Sequence, residues 1–465
     1  MTNSWASSLD LHLELPAGGG RRAALERTLR AAIRDGRLAP GERIPSTRAL
    51  AHDLGLARNT VAEAYAQLAA EGYLRTSQGA PTRVAAGGEP PGAPGGVAPL
   101  GAGGGGGPAA PHVTPVRFDL RVGVPDAGGF PRAAWLRALR RGLAGVPDAA
   151  LAHADPRGRP ELRAALAAYL GRARGVLAEP DRIVVTSGFT QGFGLLCRAL
   201  GPGTVAMEDP CLHHLRAIAP AAGLTVAPLP VDEEGARPDP PDGVAAALVT
   251  PAHQFPLGAT LAPRRRATLV DWARRTGGIV IEDDYDGEFR YDRQPVGALQ
   301  GLDPEHVVYA GTASKTLAPG LRLGWLVLPE RLVEPVLAAR PLVGGDTPVL
   351  DQLALAGLIA GGAFDRHVRR MRQRYRRRRD ALLDTLAGRR VRGVAAGLHL
   401  VLDLAPGDEA PLIARAAADG LALDGLGAYW HDPAGRPEGL VLGYAAAPEH
   451  AYARTLAALR TSLPR

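Results

Sequence analysis

Lysine is almost absent from this chain. Among 465 residues there are 54 basic side chains, and reading through them only Lys315 is a lysine; the others are arginine. Arginine stays protonated, whereas a lysine amine can lose its proton and condense with a carbonyl. Either one surface lysine survives by chance in an arginine-rich chain, or Lys315 does what arginine cannot. Cysteine is nearly as scarce, with Cys197 and Cys211 alone. That excludes a disulfide framework or zinc cluster and fits a reducing compartment. Residues 1–15 lack a basic start followed by an apolar run, and no apolar stretch approaches the roughly 18 residues of a membrane span. A cytoplasmic protein without membrane partners is expected. The length allows two or three domains with a large core, and the formal net charge of +7 permits an acidic partner without requiring one.

What is present begins with a basic head. Between residues 21 and 84, 11 arginines stand against 6 acids. Leu25, Leu29 and Ile33, at four-residue spacing, predict a helix over 21–33. After the turn-rich stretch 38–45, Ser46 can cap a short helix over 47–54 that Gly55 ends. A second helix follows over about 57–71, with Val61, Tyr65 and Leu68 on one face. Two short helices joined around a glycine make a helix-turn-helix pattern. Residues 72–76 and 81–84 alternate like a hairpin, with Ser77-Gln78-Gly79-Ala80 at the tip of the resulting wing. Arg58, Asn59 and Thr60 then open the second helix, the part that meets base edges in the major groove in helix-turn-helix proteins. Arginine and asparagine can read guanine and adenine bidentately.

Leu38-Ala39-Pro40-Gly41, Pro45-Ser46-Thr47-Arg48, Leu54-Gly55, Arg58-Asn59-Thr60-Val61 and Glu71-Gly72-Tyr73 together resemble the winged helix of GntR-type regulators. The resemblance implies a DNA-binding domain over 10–84 and double-stranded DNA as its partner. Ser46, Thr47, Arg48, Arg75 and Arg83 join Arg58, Asn59 and Thr60 as candidate contacts. Residues 85–111, with Gly-Gly, Pro-Pro and a run of glycine over 103–107, read as a flexible linker spanning ~30 Å as a random coil.

From 112 to 465 the pattern changes to short β-branched runs, at 182–186, 205–208, 245–250, 278–282 and 306–310. Helical stretches such as 161–174 and 264–275 fall between several of them. This order predicts an α/β domain with a largely parallel sheet covered on both faces, in which ligands gather outside the carboxyl ends of the strands. Thr186-Ser187-Gly188-Phe189 opens a helix after the first of these strands and could bind an anion through backbone N–H groups. A turn at 250–258 carries His253 and Gln254. Glu282-Asp283-Asp284 runs off an apolar strand, and Tyr285 follows. A carboxylate there could keep a pyridine nitrogen protonated. Gly311-Thr312-Ala313-Ser314-Lys315-Thr316 and Arg322 come after the next strand. Hydroxyls and an arginine beside a condensing amine suit a carbonyl compound bearing phosphate, which describes pyridoxal 5'-phosphate.

Together these stretches resemble a fold-type I aminotransferase domain, with a large parallel-sheet part and a small C-terminal α+β part. The resemblance assigns Lys315 to the Schiff base and Asp283, ahead of Asp284, to the pyridine nitrogen. Tyr285 with His253 or Gln254 would lie near the ring hydroxyl. Ser187, Gly188, Thr312, Ser314 and Arg322 would cradle the phosphate, with Phe189 beside them. A GntR head on such a body is the arrangement of the MocR subfamily, which implies a homodimeric regulator whose DNA binding responds to the cofactor or a small-molecule effector. The rival reading is an aminotransferase carrying an accessory DNA-binding head.

The chain departs from the pattern twice. Many relatives carry an aromatic residue to stack on the cofactor where this chain has Leu212, followed by His213 and His214. The strand near the C-terminus, 439–444, lacks the arginine that clamps a substrate carboxylate. Either the ligand has no such carboxylate or another arginine takes over. The run 366–379 holds nine arginines in 14 residues, as a solvated helix face or as a second phosphate-contacting patch.

Overall fold

The computed structural model describes residues 21–70, 73–76, 81–85, 116–152, 155–292 and 296–464. The wing tip at 77–80, residues 10–20 and all of the linker after Ala85 lie outside them. The chain divides into two compact units, Met1–Pro111 and His112–Arg465.

In the first unit, α1 (Arg21–Arg34), α2 (Thr47–Asp53) and α3 (Arg58–Ala70) precede β1 (Leu74–Arg75) and β2 (Arg83–Val84). The predicted apolar positions meet as a core: Leu25 and Leu29 pack with Leu50, Val61, Tyr65, Leu68, Leu74 and Val84. Ser46 starts α2 by accepting a hydrogen bond from the Ala49 N–H at 3.2 Å. The Tyr65 hydroxyl donates to the Pro45 carbonyl at 2.8 Å and so fixes α3 against the turn before α2. β1 and β2 pair antiparallel, Leu74 opposite Val84 and Arg75 opposite Arg83. Strand alternation puts the aliphatic pair inward and the arginine pair outward.

The second unit contains, in chain order, β3 (Phe118–Asp119), α4 (Arg132–Gly145), α5 (Ala149–Ala152), α6 (Pro160–Arg174), β4 (Ile183–Thr186), α7 (Phe189–Leu200), β5 (Gly203–Asp209), α8 (His213–Ala221), β6 (Leu224–Asp232), β7 (Gly235–Ala236), β8 (Val244–Val249), α9 (Pro263–Thr276), β9 (Ile279–Asp284), β10 (Val307–Thr312) and β11 (Gly324–Val327). Then come α10 (Glu330–Val343), α11 (Val349–Ala360), α12 (Ala363–Thr385), β12 (Val391–Arg392), β13 (His399–Asp403), α13 (Glu409–Ala418), β14 (Leu421–Ala422), β15 (Asp424–Gly425), β16 (Gly439–Gly443) and α14 (Tyr452–Ser462).

Among the described residues the large sheet has eight strands in the order β4-β11-β10-β9-β8-β5-β6-β7. Its centre is parallel, as expected, but β11 runs antiparallel to both β10 and β4, and β7 antiparallel to β6. The sheet is therefore mixed. The reason is chain length: a parallel return needs a crossover of a dozen or more residues, and 313–323 is too short for one. The small part pairs β12, β13, β16 and β15 antiparallel. The early strand β3 joins it by pairing with β14, a contact the order of elements along the chain does not announce.

Candidate functional site

The carboxyl ends of β9 and β10 open on a cavity of about 420 Å³. Three consecutive acids close β9, all buried, and each has a different environment. Glu282 accepts the backbone N–H groups of Leu299 and Gln300 at 2.8 and 2.9 Å. Asp284 faces away from the cavity, pairs with Arg174 at 2.6 Å and accepts the Tyr309 hydroxyl at 2.8 Å. Asp283 lines the cavity, and its Oδ1 is buried with no hydrogen-bond partner. Burial, then the neighbouring Asp284, pushes the Asp283 carboxyl well above the usual carboxylate range, against the pull of Lys315.

Lys315 sits in the turn between β10 and β11, where its Nζ donates to the Gly123 carbonyl at 2.7 Å. Burial lowers its pKa, opposed by Asp283 and Asp286, which favours the neutral amine that a condensation needs. Thr312 Oγ1 lies 2.9 Å from Ser314 Oγ, and both residues line the cavity. Arg322 is the one non-glycine residue with positive φ among those described, at +50°. For an L-residue this costs about 1–2 kcal/mol. The conformation brings its guanidinium against Gly188: a Cβ on Gly188 would stand 3.2 Å from Arg322 Nη2. Gly188 itself has φ +92° and precedes α7. Thus Gly188, Arg322, Thr312 and Ser314 share one end of the site. Ser187 adjoins it, its N–H donating to Gln191 Oε1 at 2.7 Å, and Phe189 lines the cavity.

Tyr285 lines the cavity too. His253 stands behind it: His253 Nδ1 is 3.1 Å from the Tyr285 hydroxyl and 2.9 Å from Asp286 Oδ2. Gln254 goes elsewhere. Its amide nitrogen reaches Glu208 at 3.2 Å and the Pro210 carbonyl at 2.9 Å, and its Oε1 accepts the Leu257 N–H at 3.0 Å. It holds the 250–258 turn to the end of β5 and does not line the cavity. Glu208, at the end of β5, does line it. Burial raises Glu208 to about 7 against donors from Thr250 and Gln254.

Leu212 is on the cavity wall with His213 and His214, and Phe255 and Tyr429 add two aromatic side chains. Tyr429, Asp424 and Arg121 were not anticipated. They come from the small part and from the segment after β3, and no motif in the sequence pointed to them.

In the head, Arg48, Arg58, Asn59 and Arg75 are exposed, and Thr47 and Thr60 are half-buried. Arg83 differs, since its guanidinium donates to the Gly41 carbonyl at 2.7 Å, and the Ser46 hydroxyl is taken up in capping. In the arginine run on α12, Arg374 and Arg378 both pair with Asp126, at 2.7 and 3.2 Å. Arg370 and Arg372 donate to the Gly129 and Glu288 carbonyls at 3.0 and 2.8 Å. Four of the nine therefore fasten α12 to the body.

A winged helix joined to a mixed-sheet body with a lysine beyond β10 defines a helix-turn-helix regulator carrying an aminotransferase-like domain. Comparison with known proteins agrees. Residues 118–419 match the family model "Aminotransferase class I and II", and residues 21–84 match "Bacterial regulatory proteins, gntR family". The chain is 33% identical over 439 residues to the HTH-type pyridoxine biosynthesis transcriptional regulator PdxR of Corynebacterium glutamicum, covering 90% of this chain and 91% of that protein. It is 34% identical over 448 residues to the probable rhizopine catabolism regulatory protein MocR of Rhizobium meliloti, covering 90% and 88%. The body resembles the crystal structure of Pyrococcus horikoshii kynurenine aminotransferase, with TM-score 0.67 and 26% identity over 74% of this chain and 90% of that one. The chain belongs to the MocR-type transcriptional regulators, with a GntR head and an aminotransferase class I/II body. Among the described residues no helix is long and apolar enough to cross a membrane.

Proposed function

We propose that the body holds pyridoxal 5'-phosphate on Lys315, and that occupancy of the cavity by cofactor or effector changes how two heads of a homodimer engage DNA. The observation that carries this reading is Asp283. A buried carboxyl oxygen without a partner is costly, and a protonated ring nitrogen is the donor its position lacks. The opposite end fits a phosphate, with Arg322 strained against Gly188 and two hydroxyls beside it. Tyr285 would face the ring hydroxyl, held by His253. When bound, the cofactor supplies an aldehyde for an amine and a ring that withdraws electrons.

A dimer is supported by Leu136 and Leu143, each about half exposed. They lie seven residues apart on one face of α4, the helix that packs on α11. A relative named as a regulator of pyridoxine biosynthesis supports a cofactor-responsive role. Arg58 and Asn59 would read bases, with Arg48 and Arg75 on phosphates.

Absorbance titration with pyridoxal 5'-phosphate tests the cavity. Wild type should show the band of a lysine-bound cofactor, and Lys315→Ala should not. Asp283→Asn should weaken uptake with little loss of stability, whereas Asp284→Asn should chiefly lower the melting temperature. An unchanged band in Lys315→Ala would refute the assignment.

A further inference from the structure

The body has a second cavity, of about 630 Å³, which shares a partition with the one beside Lys315. The end of β5 places Glu208 in the first cavity and Asp209 in the second; the segment before β16 places Tyr429 in the first and Trp430 in the second. Two hydrogen bonds tie these segments together. Cys211 N–H donates to the Tyr429 carbonyl at 3.0 Å, and His431 N–H to Asp209 Oδ1 at 2.7 Å. The large and small parts also meet at this cavity backbone to backbone: a Cβ on Gly258 would stand 2.7 Å from the Gly393 Cα, and Val394 N–H donates to the Gly258 carbonyl at 2.9 Å.

Much of the lining is apolar, with Pro228, Pro230, Leu257, Val391 and Pro437. Its charged groups are unevenly committed. Asp232 is held by both terminal nitrogens of Arg265, at 2.7 and 2.8 Å, and Glu233 is exposed. Arg390 and Arg392 share the single carboxylate of Asp403, at 3.1 and 2.6 Å. Arg436 is committed least. Its guanidinium carbon lies 5.1 Å from the Trp430 ring centroid, and its one polar contact among the described residues is Asp209 Oδ2, at 3.5 Å. Trp430 and Asp209 both line the cavity, which puts the guanidinium between them on the wall with most of its five N–H donors unused. Arg436 is half-exposed and Asp209 is buried, so Asp209 keeps the His431 N–H when the arginine takes another partner.

We infer that this cavity is a second ligand site, for an organic acid whose carboxylate or phosphate takes Arg436 and whose apolar body lies along the proline-lined wall. Such a ligand draws Arg436 from Asp209, on the partition shared with the first cavity, and so can act on that cavity without entering it. The site does not depend on Lys315 carrying a cofactor.

Trp430 supplies the readout. The full chain is titrated with phenyl phosphate and with benzoate while tryptophan fluorescence is followed. Phenol and inorganic phosphate serve as probes that lack the charge or the apolar body. In wild type at least one of the two acids should give a saturable change, with affinity about tenfold or more above both controls, as a charge-assisted contact provides. Response to phenyl phosphate alone makes the ligand a phosphate ester, and response to benzoate alone a carboxylate. Trp430→Phe should abolish the change. Arg436→Gln, at a half-exposed loop position, should remove the preference over phenol, and Arg436→Lys should restore only part of it. Arg322→Gln should leave the response unchanged, because Arg322 belongs to the first cavity. The inference would be overturned by no saturable change, by acids binding no better than the controls, or by a change that persists in Trp430→Phe. A preference that survives Arg436→Gln, or one lost in Arg322→Gln, would overturn it equally.

Discussion

The head and the body use charge in opposite ways. In the head, Arg48, Arg58 and Arg75 stand in solvent, where long-range attraction to a phosphate backbone is available and stability gains little. In the body, charge is taken inside and matched: Asp284 with Arg174, Asp126 with Arg374 and Arg378, Glu282 with two backbone N–H groups. An unmatched group therefore carries different weight in each. An unpaired arginine on the head is a surface waiting for a polyanion. Inside the body, by contrast, Asp283 is buried with an Oδ1 that has no hydrogen-bond partner, which is costly.

The largest expected effect breaks a matched pair in the body. Arg174→Ala leaves Asp284 as a buried, uncompensated carboxylate and should destabilise the body by about 3–5 kcal/mol. Calorimetry should show the body transition falling while the head transition stays in place. A common fall of both would mean that the two units do not store stability separately.

A smaller effect sharpens the other side. Arg58→Ala should cost about 1–3 kcal/mol of binding to the cognate site and relax specificity at one position. Arg48→Ala should weaken all sequences alike and reduce the salt slope by about one unit. Neither should move the body's melting temperature or cofactor band. If Arg58→Ala leaves cognate binding intact, α3 is not the reading element.

The smallest effect concerns Glu208. Its carboxyl sits at about 7 in the fold against an ordinary 4.5. Between those values the folded state keeps a proton that the unfolded chain has lost, so this group's contribution to stability falls as pH rises through the window. Melting curves across pH 5–7.5 should drop less steeply for Glu208→Gln than for wild type. Parallel curves would remove Glu208 as the source.

Much of the head was legible because its signals are local. A cap, a glycine and four-residue spacing fix its helices, and the core they form joins the residues that the spacing named. The body was legible as an architecture and less so as a site. β9 is a central strand with both faces covered, so alternation could not separate Asp283 from Asp284; Arg174, 110 residues away in sequence, separates them. Either His253 or Gln254 was expected near the ring hydroxyl; Glu208 and Pro210 draw Gln254 to the turn, while His253 reaches Tyr285. The antiparallel return of β11 was not anticipated, although 313–323 is too short for a parallel crossover. Likewise, nothing local could place Arg121 against Gly443, because β3 crosses to the small part only in three dimensions.

The most direct test of the account is binding of the full chain to its own upstream DNA at fixed salt, with and without pyridoxal 5'-phosphate, for wild type and Lys315→Ala. The account predicts specific binding by both proteins and a change in affinity or footprint with cofactor in wild type alone. Specific binding that ignores the cofactor in wild type, or an equal response in Lys315→Ala, would contradict it.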